Sequence, residues 1–332
     1  MKDTTSQRKS DHIELALASQ ISRTDSRFYY EPMLAAHPTV KYNEFEFLSK
    51  KMNFPLWIGS MTGGTERAGK INMNLAKAAG KHGLGMGLGS CRIILENDTF
   101  LPDFQLRKYI GDNFPFYANL GIAQVEQLIE TNRLHLIKEL IDKTETDGLI
   151  IHINPLQEWF QAEGDLFKNS PIDTLNRFFD KMNCAVIVKE VGQGMGPKSL
   201  EALFKLPIKA IEFAAAGGTN FSKVEINRTK EKSNEFEELV YVGHNAAEMV
   251  TLCNQLTSNN NQFLSKEIIV SGGIANFLDG YYLNMKIKNT AVFAMASALL
   301  SYAEESFEKL DEFIEAQIKG YRLAEQFLTI RE

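Results

Sequence analysis

Eight short apolar segments recur along the chain, and each ends in glycine or in polar residues. They occupy positions 56–64, 84–92, 115–121, 148–158, 185–194, 210–219, 267–273 and 291–297. Longer stretches with helical spacing separate them, as at Ile71, Leu75 and Ala78 within 66–82. Strands that alternate with helices pair in parallel through right-handed crossovers. Eight such units in about 240 residues predict an α/β fold, a (β/α)8 TIM barrel, with a doubly wound open sheet as the alternative.

Three further segments lie before, within and after the eight strand–helix units. We expect residues 1–55 to form an N-terminal extension and residues 56–332 to form the barrel with C-terminal helices. The segment 220–243 is highly charged and unusually long for a connection, which is typical of a lid or a disordered loop. The tail, 300–332, has the pattern of a helix or helices.

The composition of the chain excludes several classes of protein. Hydrophobic residues make up 44% of 332 residues, enough for a large core, and the formal net charge is -6. An acidic chain is not a general nucleic-acid or membrane binder, and no apolar run approaches the roughly 18 residues that span a bilayer. Cys91, Cys184 and Cys253 lack metal-site spacing, and the N-terminus lacks the apolar core of a secretion signal. We expect a cytoplasmic protein whose thiols are reduced.

Polar residues gather where the predicted strands end, which in a barrel is the functional face. They are Thr62, Ser90, Arg92, Asn119, His152, Asn154, Gln157, Glu158, Lys189 and Thr219. Lys189 directly follows the apolar run 185–188. An interior lysine is costly unless an anion pairs with it, although a lysine at a strand end can also extend its ammonium group into solvent. The recurrence of polar ends in strand after strand favours a site.

The last two predicted strands end in SGGI (271–274) and FAMAS (293–297). Barrels of this type often bind phosphate there, through backbone N–H groups and a helix N-terminus. Gly272 and Gly273 would allow a close backbone approach. An ordinary tight turn between strand and helix is the alternative interpretation.

Several motifs in order carry a family resemblance. They are RKSDHIE (8–14), MTGG (61–64), GSCR (89–92), HINPLQE (152–158), KEVGQGMG (189–196), AGGTNFSKVEINR (216–228) and SGGI (271–274). Together they resemble type 2 isopentenyl diphosphate isomerase over nearly the whole chain. The resemblance implies a (β/α)8-barrel flavoprotein of isoprenoid biosynthesis. Such an enzyme interconverts isopentenyl and dimethylallyl diphosphate with reduced FMN, Mg²⁺ and NADPH as the reductant, and we also expect a homo-oligomer.

The same resemblance assigns roles to residues. The FMN-binding positions would be Met61, Thr62, Gly63, Ser90, Asn119, Lys189, Thr219, Gly272, Gly273, Ala296 and Ser297. The substrate-binding positions would be Arg8, Lys9, Ser90, Cys91, Arg92, His152, Asn154 and Gln157, so the extension would contribute to the substrate site. Gln157 and Lys189 would be catalytic, with Lys189 beside the pyrimidine edge of the flavin. Glu158 would be the metal ligand, since hard cations prefer carboxylate oxygen.

The chain departs from the family pattern mainly on the phosphate side. Cys91 stands where glutamine is usual, Ala214 replaces a hydroxyl residue, and Ser297-Ala298 replaces Arg-Pro. Ala275 and Phe277 likewise replace the arginine and glycine of the turn after the seventh strand. Backbone N–H groups can bind phosphate without those side chains, so the expectation of FMN binding stands.

Two other functions remain as alternatives. An FMN-dependent 2-hydroxy-acid oxidase or dehydrogenase needs a histidine base near an arginine by the seventh strand. The histidines are at 12, 37, 82, 135, 152 and 244, none of them in that region. A non-catalytic flavin-binding barrel would have no need for Gln157, Glu158 and Lys189 together.

Overall fold

The protein is described by a computed structural model at residues 12, 15–39, 44–61, 63–228 and 235–331. Three short strands come first: β1 (Phe28–Tyr30), β2 (Phe45–Phe47) and β3 (Lys50–Met52). The eight strands that follow are β4 (Leu56–Ile58), β5 (Gly85–Gly87), β6 (Phe116–Gly121), β7 (Gly148–His152), β8 (Val186–Lys189), β9 (Ala210–Glu212), β10 (Glu267–Val270) and β11 (Ala291–Met295). They pair in parallel in chain order, and β11 pairs with β4 to close a barrel. The TIM-barrel prediction is confirmed, and the open-sheet alternative is wrong.

Helices cover the outside of the barrel. They are α1 (Glu66–His82), α2 (Arg107–Ile110), α3 (Ile122–Glu130), α4 (His135–Thr144), α5 (Pro155–Phe160), α6 (Pro171–Phe179), α7 (Pro197–Phe204), α8 (Phe221–Arg228), α9 (Ala246–Asn259), α10 (Phe277–Lys286), α11 (Ser297–Glu305) and α12 (Phe307–Phe327). Helix α1 shows how the sequence sets these elements. Thr65 caps its start by accepting a hydrogen bond from the N–H of Ala68, and Gly83 ends it in the left-handed conformation. Ile71 and Leu75 bury its inner face.

The hairpin of the N-terminal extension closes the bottom of the barrel. Strands β2 and β3 form a hairpin, and Phe47 and Met52 join the buried interior cluster that includes Trp57 and Ile150. The backbone N–H of Leu48 donates to the carboxylate of Glu267, the first residue of β10. The hairpin therefore lies at the end opposite the polar strand ends. Arg8 and Lys9 lie outside the described residues.

The C-terminal tail is helical through α11 and α12, as predicted, and then adds a strand that the pattern did not indicate. Strand β12 (Leu328–Ile330) pairs antiparallel with β1, so that Phe28 lies opposite Ile330. A three-residue strand is too short to show a hydrophobic period, so β12 can be recognised only from its pairing with β1.

The charged connection 220–243 contains regular structure, so the disordered-loop interpretation is wrong for its described residues, while the interpretation as a lid stays a prediction. It contains α8 and a 3-10 helix at Glu237–Tyr241, while residues 229–234 lie outside the described part. Helix α8 packs on α5 through Ile226 and Phe160. Its buried positions also include Ser222 and Glu225. Because these residues are polar, the sequence shows no hydrophobic pattern of helical period here.

None of the helices in the described ranges is both long enough and apolar enough to cross a membrane.

We expect Phe47→Ala to lower the free energy of unfolding by about 3–5 kcal/mol, because it leaves a cavity beneath the barrel. Phe47 is fully buried, at 0% exposure. Met33→Ala is the matched control, since Met33 is 90% exposed and a surface truncation should change stability by within about 0.5 kcal/mol. Urea denaturation followed by circular dichroism measures both. A cost for Phe47→Ala below about 1 kcal/mol would contradict its role in the floor of the barrel.

Candidate functional site

A layer of polar side chains lies inside the barrel above its apolar floor. Side chains alternate along a strand, so the residues two positions beyond the interior residues Tyr117, Ile150, Ile187, Ala210 and Ile269 also face inward. These residues are Asn119, His152, Lys189, Glu212 and Ser271. Strand register makes His152 the neighbour of Lys189, and Lys189 the neighbour of Glu212. One continuous polar wall therefore runs around half of the barrel mouth.

A pocket that encloses about 580 Å³ of empty space, part of it open to solvent, lies at this mouth. Seven residues predicted to bind the cofactor line it: Met61, Lys189, Thr219, Gly272, Gly273, Ala296 and Ser297. Thr62 lies outside the described residues. At Gly63 a side chain would meet the ring of Phe104, 2.4 Å from an added Cβ.

Glycines let the loops after β9 and β10 pack backbone against backbone at one end of the pocket. Gly272 has a φ of +97°, and a Cβ there would lie 2.1 Å from the carbonyl oxygen of Ala215. Gly217, at φ +114°, would place a Cβ 3.2 Å from the Cα of Gly273. This end of the pocket presents main-chain groups without side chains, an arrangement that suits an anion such as phosphate.

Two buried polar atoms in the pocket wall have no hydrogen-bond partner within the described part of the chain. They are the hydroxyl oxygen of Ser60 and Oε2 of Glu212. An unsatisfied buried polar atom is unfavourable, and in native proteins most such atoms are satisfied. The pair therefore points to a ligand with polar groups along its edge.

Lys189 is 7% exposed, and its Nζ donates to the carbonyl of Glu190 at 3.0 Å. The carboxylate of Glu190 turns the other way and accepts the backbone N–H of Gly192 at 2.6 Å and of Gly194 at 3.0 Å. Glu190 thereby holds the glycine-rich turn after β8, while the ammonium group of Lys189 remains at the pocket wall.

Glu212 is the site residue that the sequence reasoning missed. It is 1% exposed, and burial raises the pKa of its carboxyl, while Lys189 and a hydrogen bond with Ser271 act in the opposite direction. The signal was present in the sequence, because Glu212 interrupts the apolar run of β9 just as Lys189 ends that of β8. A buried glutamate, like a buried lysine, is costly unless it has a partner.

His152 is held by Asn119. Its Nδ1 lies 2.9 Å from Oδ1 of Asn119, and Nδ2 of Asn119 donates to the carbonyl of Leu88 at 3.0 Å. Burial, and secondly the charge of Lys189, lower the pKa of the imidazole to about 3. Without a ligand the ring is therefore neutral at physiological pH.

The segment after β7 forms a hydrogen-bonded network. Asn154 Nδ2 donates to Glu158 Oε1 at 2.8 Å and to Gln157 Oε1 at 3.2 Å, and the Asp165 N–H donates to Glu158 Oε2 at 2.7 Å. Gln157 Nε2 reaches Glu225 of α8 at 3.4 Å. No cluster of three or more histidine, cysteine, aspartate or glutamate side chains suited to a metal occurs in the described ranges. A cation here would rest on the Glu158 carboxylate and on ligand oxygens.

The three predicted substrate-binding residues that follow β5 do not lie in the same environment. Arg92 is exposed and pairs with Asp165 at 2.7 Å, which joins it to the Glu158 network. Ser90 is also exposed. Cys91 is fully buried in the outer core, its thiol faces the Gly89 carbonyl, and burial raises its pKa to about 12. The thiol of Cys91 is not among the groups that line the pocket.

Comparison with known sequences gives a consistent set of relatives. No protein-family model matches the chain. Isopentenyl-diphosphate delta-isomerase of Nostoc sp. is 33% identical over 326 residues, which cover 95% of this chain and 90% of that protein. The protein of the same name from Rickettsia felis is 31% identical, covering 96% and 91%, and that from Ignicoccus hospitalis is 31% identical, covering 98% and 90%.

Solved structures with a similar fold are much more distant in sequence. Flavocytochrome b2 with sulfite bound has a TM-score of 0.60 at 10% identity, covering 90% of this chain and 71% of that one. A mandelate oxidase variant with (S)-mandelic acid has a TM-score of 0.58 at 10% identity, covering 92% and 86%. At this identity the likeness concerns the barrel fold alone.

We expect Gly272→Ala to destabilise the protein more than Gly111→Ala. Gly111 also has a positive φ, +82°, but nothing lies within 4 Å of an added Cβ there. The control therefore carries only the conformational strain, about 1–3 kcal/mol, whereas Gly272→Ala adds a clash with backbone worth about 1–3 kcal/mol more. Thermal melting of both variants provides the comparison. Equal losses would show that the two loops are not tightly packed at Gly272.

Proposed function

The chain belongs to the isopentenyl-diphosphate delta-isomerase family, and we propose that it is a type 2 enzyme that interconverts isopentenyl and dimethylallyl diphosphate with reduced FMN, Mg²⁺ and NADPH as the reductant. The observation that carries the proposal is the meeting of two sites at His152 and Lys189. On one side lies the pocket with its glycine-lined end, and on the other lies the network of Asn154, Gln157 and Glu158.

The pocket fits FMN in three respects. The main-chain groups around Gly217, Gly272 and Gly273 suit the phosphate. The orphaned atoms of Ser60 and Glu212 suit the N–H and carbonyl groups of the flavin ring. Lys189 supplies a buried cation that would stabilise the negative charge of the reduced ring.

Moving the double bond of an unactivated alkene requires a proton to be added at one carbon and removed from another. Reduced FMN, when bound, supplies the acid–base chemistry for this step. The protein residues orient the alkene and balance charge. Gln157, with its amide held by Asn154 and Glu225, lies in the network beside the pocket and would position the reacting carbons.

The diphosphate would lie over the network after β7. The proposed contacts are Arg92, Ser90, His152 and Asn154, and the fork of arginine suits bidentate contact with phosphate. Both side-chain N–H groups of Asn154 donate to Gln157 and Glu158 in this structure, so Asn154 would have to release one of these hydrogen bonds to donate to the diphosphate. Arg8 and Lys9 remain proposed contacts from the extension. Cys91 is left with at most its backbone for this role, because its thiol lies in the outer core.

Glu158 is the proposed magnesium ligand. Each of its oxygens accepts one hydrogen bond, from Asn154 and from Asp165, and a carboxylate oxygen can accept more than one. Mg²⁺ commonly binds one or two carboxylates, substrate phosphates and water. A single carboxylate beside a diphosphate therefore fits.

The turn after β10 argues against a 2-hydroxy-acid oxidase or dehydrogenase. Residues 271–276 after β10 read SGGIAN and contain neither the histidine base nor the arginine that such an enzyme needs there. A non-catalytic flavin-binding barrel leaves the network of Asn154, Gln157 and Glu158 without a purpose.

The proposal is tested by anaerobic turnover of isopentenyl diphosphate. We expect purified protein to bind FMN and to form dimethylallyl diphosphate, detected by NMR, only when the flavin is reduced. Lys189→Ala should lower the reduction potential of bound FMN, because removing a nearby cation destabilises added negative charge. Undiminished activity with oxidised flavin, or without flavin, would contradict the mechanism.

We expect Glu158→Gln to weaken metal affinity while leaving the flavin spectrum unchanged, because the amide keeps the size of the side chain but loses the anionic ligand. Raising the Mg²⁺ concentration should then partly restore turnover. Glu163→Gln is a matched control, since Glu163 is an exposed carboxylate in the following loop. Titration of activity against Mg²⁺ compares the three proteins. Superimposable curves for wild type and Glu158→Gln would remove Glu158 from the metal site.

A further inference from the structure

Asp165, in the loop that follows α5, joins two parts of the proposed substrate site. Its backbone N–H donates to Oε2 of Glu158 at 2.7 Å, and its carboxylate oxygen Oδ2 lies 2.7 Å from Nη1 of Arg92. Glu158 is the proposed metal ligand, and Arg92 is a proposed contact of the diphosphate. One residue therefore links the group that would bind the cation to a group that would bind the anion.

The carboxylate of Asp165 is also held by α3. Nε2 of Gln124 donates to Oδ2 at 3.0 Å, and Nε2 of Gln127 donates to Oδ1 at 3.2 Å. These two glutamines are three positions apart, so they lie on the same face of the helix. Gln124 is only 5% exposed. Because both oxygens accept hydrogen bonds from one helix face, the carboxylate has a defined orientation.

The backbone of the loop is fastened on two sides. Gly164 packs against α5, where an added Cβ would lie 1.8 Å from the carbonyl oxygen of Glu158. The carboxylate of Glu126, a buried residue of α3, accepts the N–H of Lys168 at 3.0 Å and the N–H of Asn169 at 2.8 Å. The carboxylate that this loop presents to Arg92 is therefore a fixed support.

Arg92 lacks such support of its own. Its side chain is 54% exposed, and among the described residues its guanidinium has no ion-pair or hydrogen-bond partner other than Asp165. A guanidinium carries five N–H donors in a planar fork, so it can contact a carboxylate on one side and a phosphate on another. A long exposed side chain that is already held loses less conformational entropy when a ligand binds.

We propose that Asp165 is a positioning residue for the diphosphate, because it holds the guanidinium of Arg92 in place beside the proposed metal ligand Glu158. Arg92 keeps its contact with Asp165 in the complex, and its remaining N–H groups bind phosphate oxygens. The inference rests on the proposed function, in that it takes a diphosphate as the ligand. The arginine and the metal ligand then belong to one preorganised unit that is fastened to α3 and α5.

The test is isothermal titration calorimetry of the FMN-loaded protein with inorganic pyrophosphate and Mg²⁺. Asp165→Asn keeps the size of the side chain but loses the charge that holds Arg92. We expect binding to weaken by roughly three- to tenfold, as for the ordering of one long side chain. Glu130→Gln is the matched control and should bind as wild type, because the ion pair of Glu130 with Lys168 also joins α3 to the loop without involving Arg92. Unchanged or tighter binding by Asp165→Asn overturns the inference.

An Arg92→Ala background separates positioning of the arginine from support of the loop. Loss of the Asp165 carboxylate also lessens repulsion of the diphosphate, which acts in the opposite direction. In Arg92→Ala protein only this second effect remains, so adding Asp165→Asn should leave binding unchanged or make it tighter, a non-additive result. Equal weakening in both backgrounds would show that Asp165 acts without Arg92, and it overturns the inference.

A crystal structure of the wild-type protein with FMN, Mg²⁺ and pyrophosphate covers the case in which a variant fails to fold. Arg92 should contact Asp165 and a phosphate oxygen in the same complex. Release of Arg92 from Asp165 in that complex overturns the inference and leaves the diphosphate site of the proposed function intact. If wild-type protein binds no pyrophosphate at all, both the inference and that site fail.

Discussion

The pairing of β11 with β4 closes the ring on which the site depends. Because all eight strands run parallel, closure brings their carboxyl ends to one mouth, and the period of two directs alternate side chains inward. Trp57, Ile150 and Ile187 fill the lower level, with Phe47 beneath them. Residues one step higher, such as Lys189 and Glu212, line the pocket at the mouth. Polar side chains at that level can therefore face a ligand without interrupting the core.

The polar wall is preorganised at a cost in stability. Lys189 and Glu212 are buried as strand neighbours, and His152 loses its proton to burial. Ala214 adds backbone strain, because it adopts a φ of +41° while its N–H donates to Ser271 at 2.7 Å. Such groups are retained where fixed dipoles and charges serve a ligand, since they need little reorganisation when it binds.

Much of this was readable from the sequence. The apolar runs located all eight strands, and Met61, Lys189, Thr219 and Gly272 share a pocket because parallel strands end at one edge. The hairpin beneath the barrel was not readable, because its strands are too short to have a period. Helix α8 was missed because it buries polar side chains. The sequence also did not predict that Asp165 connects Arg92 to Glu158, because these contacts join segments that are distant in the chain.

The antiparallel pair of β1 and β12 bears on the order of folding. Phe28 and Ile330 lie far apart in the sequence, so their pairing has a high loop-closure entropy cost and can form only after β12 has been synthesised. The ring itself is complete once β11 has been made. We therefore expect the pair, with Arg27 bound to Asp279 of α10, to form late and to act as a clasp on a barrel already closed. Loss of the clasp should speed local opening of α12 before it affects the ring.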